Sequence, residues 1–147
     1  MMYIDGLWVA AQAKKTFAVY NPADGEPIGE VADGDANDTL RAIEAATRAF
    51  ESWSKSSAYK RAAYLLEAHR LMLARKEDLA KRMTLEQGKP LRAARAEVQY
   101  GADFLLWFAE EAKRVYGRTI PAPRPDQRFI VNQQPIGVVG AITPWNY

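Results

Sequence analysis

A length of 147 residues, 48% of them apolar and 26% charged, is that of one ordinary globular domain and excludes a disordered chain. Twenty basic against eighteen acidic residues leave a net charge of +2, and the two signs alternate along Lys76-Glu77-Asp78 and Glu110-Glu111-Ala112-Lys113-Arg114. That pattern describes solvated helix faces and excludes a nucleic-acid footprint. The absence of cysteine removes disulfides, thiolate metal sites and thiol nucleophiles, and a single histidine removes a His-rich metal site, so no metal is expected. The longest apolar run is too short to span a membrane, and the N-terminus lacks the basic-then-apolar layout of a signal peptide, so a cytoplasmic protein is expected.

Residues Tyr3 to Val9 predict a short hairpin, in which Asp5-Gly6 supplies the positive φ of a tight turn. Phe17 to Tyr20 alternates as a strand. Asn21-Pro22-Ala23-Asp24-Gly25 predicts a turn, and Pro27 to Ala32 returns as a second strand. Asp35 is a suitable N-cap for a helix over residues 36–51, whose stripe is Ala36, Leu40, Ile43, Thr47 and Phe50. After a Ser-rich joint at Ser52 to Ser57, the residues Ala62, Leu65, Leu66, His69, Met72 and Leu73 form the stripe of a second helix. A third helix over residues 76–87 should end at Gly88, with Pro90 just beyond.

A fourth and longest helix is predicted over residues 90–116, closed by Gly117. Its seam is Ala94, Val98, Gly101, Leu105, Phe108, Ala112 and Val115. Tyr100, Phe104 and Trp107 add an aromatic stripe, so the helix should be covered over more than half its circumference. Ile120 to Gln127 is proline-rich and extended, and Arg128 to Pro135 alternates as a strand. From Ile136 to Ile142 every residue is apolar or glycine, which predicts a strand buried on both faces, as in a parallel sheet covered by helices. Pro144 should stop it, placing Pro144, Trp145 and Asn146 at the carboxyl end of a strand, where open α/β sheets bind ligands.

Several motifs carry less than they first suggest. Gly88-Lys89-Pro90 lacks the upstream glycine, the Ser/Thr and the strand of a phosphate loop, and Gly137-x-x-Gly140 is not a Gly-x-Gly-x-x-Gly turn. His69 lies in an apolar stripe without cysteine or a second histidine, so it reads as a packed helix histidine.

The string Gln-Pro-Ile-Gly-Val followed by Ile-Thr-Pro-Trp-Asn resembles the aldehyde dehydrogenase superfamily. Further landmarks stand in the family's order: Asn21-Pro22-Ala23-Asp24-Gly25-Glu26, Leu85-Glu86-Gln87-Gly88-Lys89-Pro90, Trp107 to Arg114, and Tyr116-Gly117-Arg118-Thr119-Ile120-Pro121. The nearest subfamily is similar to succinate-semialdehyde dehydrogenases. The resemblance implies an α/β fold incomplete on its own, the N-terminal part of the family's: edge hairpins, four helices, an oligomerisation strand and the first strand of a dinucleotide-binding sheet. It divides the chain into residues 1–127, the hairpin and helical part of the cofactor domain; 128–135, a strand pairing with a neighbouring subunit in a homo-oligomer; and 136–147, the start of a truncated Rossmann-like sheet.

The implied chemistry is oxidation of an aldehyde with NAD or NADP: thiolate attack, hydride transfer to the nicotinamide, then hydrolysis of a thioester. Asn146 matches the family's oxyanion donor. Its amide N–H groups can hold a developing oxyanion when a strand end fixes them. By the same match Ile142, Thr143, Pro144 and Trp145 line the cofactor cleft, and Tyr100 and Phe104 help line the substrate tunnel, although their helical spacing by itself favours a core stripe. The family's nucleophilic cysteine, general-base glutamate and Gly-rich pyrophosphate loop lie beyond the position matching Tyr147. The isolated chain is therefore expected to be inactive, and its apolar terminal strand to promote self-association. The alternative expectation is a non-catalytic relative acting as an assembly module through residues 128–135. No nucleic-acid or membrane partner is expected.

Overall fold

The computed structural model describes residues 1–144. The chain divides into two compact units that are discontinuous in sequence, one made of Met1–Ala13, Gly34–Lys55 and Tyr116–Tyr147, the other of Lys14–Asp33 and Ser56–Val115. No helix among the described residues is long and apolar enough to cross a membrane.

In the first unit, strands β1 (Met2–Ile4) and β2 (Leu7–Val9) pair antiparallel with Tyr3 opposite Trp8. Asp5 and Gly6 both take positive φ, 53° and 78°, the backbone that matches the twist of a two-residue hairpin. The Tyr3 and Trp8 rings sit 5.2 Å apart across the strands. Helix α1 (Ala36–Trp53) starts at Asp35, whose carboxylate accepts from the N–H of Asn37 and Asp38. Asp38 completes the box by accepting from Asp35 N–H at 3.3 Å.

Asp38 does more than close the cap. Only 2% exposed, its carboxylate also accepts from the Gln12 N–H at 3.1 Å and from the Arg41 guanidinium at 3.1 Å. One buried side chain thus fastens the segment after β2 to the first turn of α1. The expected stripe of α1 is not what the unit buries: Leu40 and Ile43 are exposed, and the buried positions are Asp38 and Ala45.

Strands β5 (Arg118–Ile120) and β6 (Phe129–Val131) form the second hairpin of this unit, with Thr119 opposite Ile130. Within residues 128–135, the segment expected to pair with a neighbouring subunit, Phe129–Val131 has an antiparallel partner in its own chain, Arg118–Ile120, just before the proline-rich stretch. Gly117 makes the pairing possible, since a Cβ there would lie 2.6 Å from the Val131 carbonyl oxygen. That glycine therefore admits a strand instead of ending a helix. The strand expected over residues 136–142 does not form: residues 132–144 carry no ladder, Gly137 takes φ 119°, and Ile136 is 92% exposed. The reason is that no neighbouring strand among the described residues meets its N–H and C=O groups, which are left to water.

In the second unit, β3 (Thr16–Tyr20) and β4 (Pro27–Ala32) pair antiparallel, with an irregularity between Val19 and Tyr20. Side chains shape their turn: Asn21 Oδ1 accepts from Ala23 N–H at 3.1 Å, Asp24 Oδ1 accepts from Glu26 N–H at 3.0 Å, and Gly25 takes φ 77°. Helices α2 (Ala58–Ala74), α3 (Lys76–Gln87) and α4 (Leu91–Glu111) follow, with a 3-10 turn at Ala112–Arg114. Ser57 caps α2 by accepting from Lys60 N–H at 3.2 Å. Gly88, at φ 71°, ends α3 in the left-handed conformation.

The core of this unit is made of small residues. Ala80, Ala94 and Val98 are its buried centre, with Met72, Leu79, Met83 and Leu91 packed around them. Along α4 the buried seam runs through Ala94, Val98, Ala102 and Ala109. Phe108 and Val115, expected in that seam, are exposed at 55% and 60%. The seam takes the alanines because the helices approach closely: a Cβ on Gly101 would already lie 3.0 Å from the Met72 methyl. His69 is packed as expected, its Nδ1–H donating to the Ala102 carbonyl at 2.8 Å and joining α2 to α4.

Arg95 of α4 donates through two nitrogens to Glu77 of α3, at 2.8 to 3.0 Å. That hydrogen bonding holds the Glu77 carboxyl below the ordinary carboxylate range. The contribution to stability is accordingly present above the ordinary value and lost as pH falls through the lowered one. Both groups are exposed, so the pair is screened.

Two substitutions test this account. Asp38→Ala removes the acceptor for three groups, and urea denaturation should show a loss of about 1–3 kcal/mol; unchanged stability would show that the buried carboxylate is dispensable. Gly117→Ala should abolish the Thr119–Ile130 cross-strand contacts seen by NMR while leaving the β1–β2 contacts intact.

Candidate functional site

Helix α4 places Tyr100, Phe104, Trp107 and Phe108 on one face, because residues three and four apart are neighbours on a helix surface. The Tyr100 and Phe104 rings meet edge-to-face, 4.8 Å apart at 82°, and Phe104 stacks along Phe108 at 6.3 Å and 16°. These are the favoured geometries of aromatic pairs, whose positive edge meets a negative face. Together with Asp103 the four rings line an open cavity of about 270 Å³. Trp107 is 61% exposed, so the face expected to be covered over most of α4 stands open among the described residues.

Asp103 is the polar member of this face, and the sequence reading missed it. Its Oδ1 accepts from the Gln99 side chain at 2.9 Å, and Gln99 Oε1 in turn accepts from Lys76 Nζ at 3.0 Å. The only signal in the sequence was its position three residues after Tyr100. The arrangement is an apolar, aromatic-walled cavity with one oriented carboxylate, which suits an organic molecule of mixed character.

The second group of expected site residues falls in the other unit. Ile142, Thr143 and Pro144 continue the unpaired segment after β6, and all three are exposed. Trp145 and Asn146 lie outside the described residues. The structure therefore brings Tyr100 and Phe104 together, and leaves Ile142, Thr143 and Pro144 as a strip without backbone hydrogen bonds among the described residues, with the Ile142 side chain open.

Comparison with known proteins finds relatives over nearly the whole chain. The chain is 53% identical over 145 residues to a glutarate-semialdehyde dehydrogenase of Pseudomonas aeruginosa, covering 99% of this chain and 30% of that protein. It is 49% identical over 144 residues to the succinate-semialdehyde dehydrogenase [NADP(+)] of Escherichia coli, covering 98% of this chain and 30% of the relative. The chain thus spans about 30% of the length of these curated relatives. Among solved structures, that of succinate-semialdehyde dehydrogenase from Burkholderia pseudomallei superposes with a TM-score of 0.84 at 47% identity, covering 87% of this chain and 27% of that one. The family described as "Aldehyde dehydrogenase family" matches residues 8–147, and with nearly the whole sequence inside that match the chain belongs to the aldehyde dehydrogenase family.

Proposed function

We propose that this chain is the N-terminal part of an NAD(P)-dependent enzyme that oxidises an aldehyde to the carboxylic acid, with succinic semialdehyde as the first substrate to try. The observation that carries the reading is the family match over residues 8–147. The names of the relatives support a semialdehyde with a distal carboxylate. The overall reaction consumes the aldehyde, water and the oxidised dinucleotide, and yields the acid, the reduced dinucleotide and a proton.

The residues present fit one end of the cofactor. Ile142, Thr143 and Pro144 make no backbone hydrogen bond among the described residues, so their main chain is free beside an apolar side chain, as the nicotinamide end requires. No described helix follows β6 to receive a pyrophosphate at its N-terminus. When bound, the dinucleotide supplies the acceptor for the hydride leaving the aldehyde carbon. Trp145 completes this strip in our reading. Asn146 donates its amide N–H groups to the oxygen that gains negative charge as the carbonyl is attacked.

The attacking thiolate of the implied mechanism has to come from elsewhere in the whole protein, because this sequence contains no cysteine. Tyr100 and Phe104 present an aromatic wall to the substrate. Residues 128–135 serve a homo-oligomer through the edge of β6 that β5 leaves free.

A dinucleotide-linked assay on the full-length enzyme with succinic semialdehyde tests the oxyanion role. Asn146→Ala should lower kcat by about 100- to 1000-fold, and the 147-residue chain alone should turn over no aldehyde. An undiminished kcat for the variant would remove Asn146 from the chemistry, and turnover by the chain alone would remove the need for an outside thiolate. Tyr100→Ala and Phe104→Ala should each raise KM with kcat largely retained. Unchanged KM across a series of aldehydes would assign both rings to packing.

A further inference from the structure

Asp103 puts a charge at the margin of the aromatic face of α4. Tyr100, Asp103, Phe104 and Trp107 follow one another at three- and four-residue steps and so fall on one stripe of the helix. Across that stripe Phe108 lies at one side and Asp103 at the other. The buried seam through Ala94, Val98, Ala102 and Ala109 runs along the opposite side of α4. Asp103 is exposed and belongs to the rim of the cavity that the four rings line with it, not to the packing between helices.

The charge on this rim is held in place but not cancelled. Asp103 Oδ1 accepts from Gln99 Nε2 at 2.9 Å, and Oδ2 has no hydrogen-bond partner among the described residues. The cation linked to it, Lys76, is one side chain removed, since its Nζ donates to Gln99 Oε1 at 3.0 Å. The Gln99 amide thus stands between the two charges and orients the carboxylate without neutralising it. Arg95, Glu97 and Glu111 of the same helix are each matched in an ion pair, with Glu77, Lys89 and Arg114. Asp103 forms no ion pair among the described residues.

We propose that Asp103 sets the charge preference of the aldehyde's path, selecting against a substrate whose far end is anionic and in favour of one whose far end is cationic. The proposal rests on the reading that Tyr100 and Phe104 face the substrate. Asp103 shares their cavity, so a molecule lying against the rings lies beside the carboxylate. A unit charge about 7 Å away changes binding by roughly threefold even at the dielectric constant of water. The faces of aromatic rings attract cations and act in the same direction. A semialdehyde with a distal carboxylate therefore binds against Asp103, not with its help.

The test compares three aldehydes of matched length on the full-length enzyme: succinic semialdehyde, butanal and 4-(trimethylammonio)butanal, with butanal normalising each variant. Asp103→Asn keeps an acceptor for Gln99 and removes only the charge. It should lower the cation-to-anion ratio of kcat/KM by about tenfold, threefold from each substrate, with the change falling in KM. Added salt, which shortens the reach of exposed charges, should shrink the ratio in the unmodified enzyme and leave it nearly constant in the variant. An unchanged ratio in Asp103→Asn, where Tyr100→Ala or Phe104→Ala does raise KM, would overturn the proposal and leave the aromatic wall standing. An unchanged ratio together with unchanged KM in both ring variants would remove the wall as well. A shift in ratio that salt does not diminish would assign Asp103 an effect of shape and overturn its role as a charge filter.

Discussion

The close approach of helices α2, α3 and α4 is the constraint on which most of this chain depends. It is set by residues with little or no side chain: Ala80, Ala94 and Ala102 are fully enclosed, and Gly101 lies against Met72. With the helices this close, His69 can reach across to the Ala102 carbonyl and Arg95 can clasp Glu77. The half-buried Lys89–Glu97 ion pair fastens the α3–α4 corner to the body of α4. The same closeness has a second effect. A seam lined with alanine has no room for the large aromatics of α4, so Tyr100, Phe104, Trp107 and Phe108 are turned to the opposite face, where they pack on one another. The tight seam and the aromatic face are two sides of one packing decision.

Local signals in the sequence were strong where the physics is local. Asp5-Gly6, Asp35, Gly25 and Gly88 each determine a turn or cap within a few residues, and the structure uses all four in that way. Reading failed where the answer depends on what lies opposite. Periodicity alone could not distinguish Phe108 from Ala109 as the inward position, because the choice was made by the distance to α2. The apolar run Ile136 to Ile142 has every internal property of a buried strand but no described neighbour to pair with. Arg118–Ile120 showed no alternation long enough to notice, and became a strand because Gly117 let Val131 approach. Nothing local singled out Asp38, whose burial involves Gln12, twenty-six residues away, presenting an N–H to it.

The candidate site was legible to differing degrees for the same reason. That Tyr100 and Phe104 would touch follows from a four-residue spacing on a helix. Asp103 gains its place only through the orientation that Gln99 and Lys76 impose. The oxyanion role proposed for Asn146 could not have come from spacing or composition: it rests on the family resemblance alone.

The alanine-rich core also bears on how unfolding depends on temperature. Unfolding raises the heat capacity mainly by wetting apolar surface, and typical domains gain about 12–15 cal/mol/K per residue. Here the only side chain larger than alanine's that is fully enclosed among the described apolar residues is Val98, while many bigger apolar groups already touch water in the folded chain. Melting this stretch by itself therefore exposes little new hydrocarbon. The expected consequence is a heat-capacity increment below the usual range and a broad, shallow stability curve.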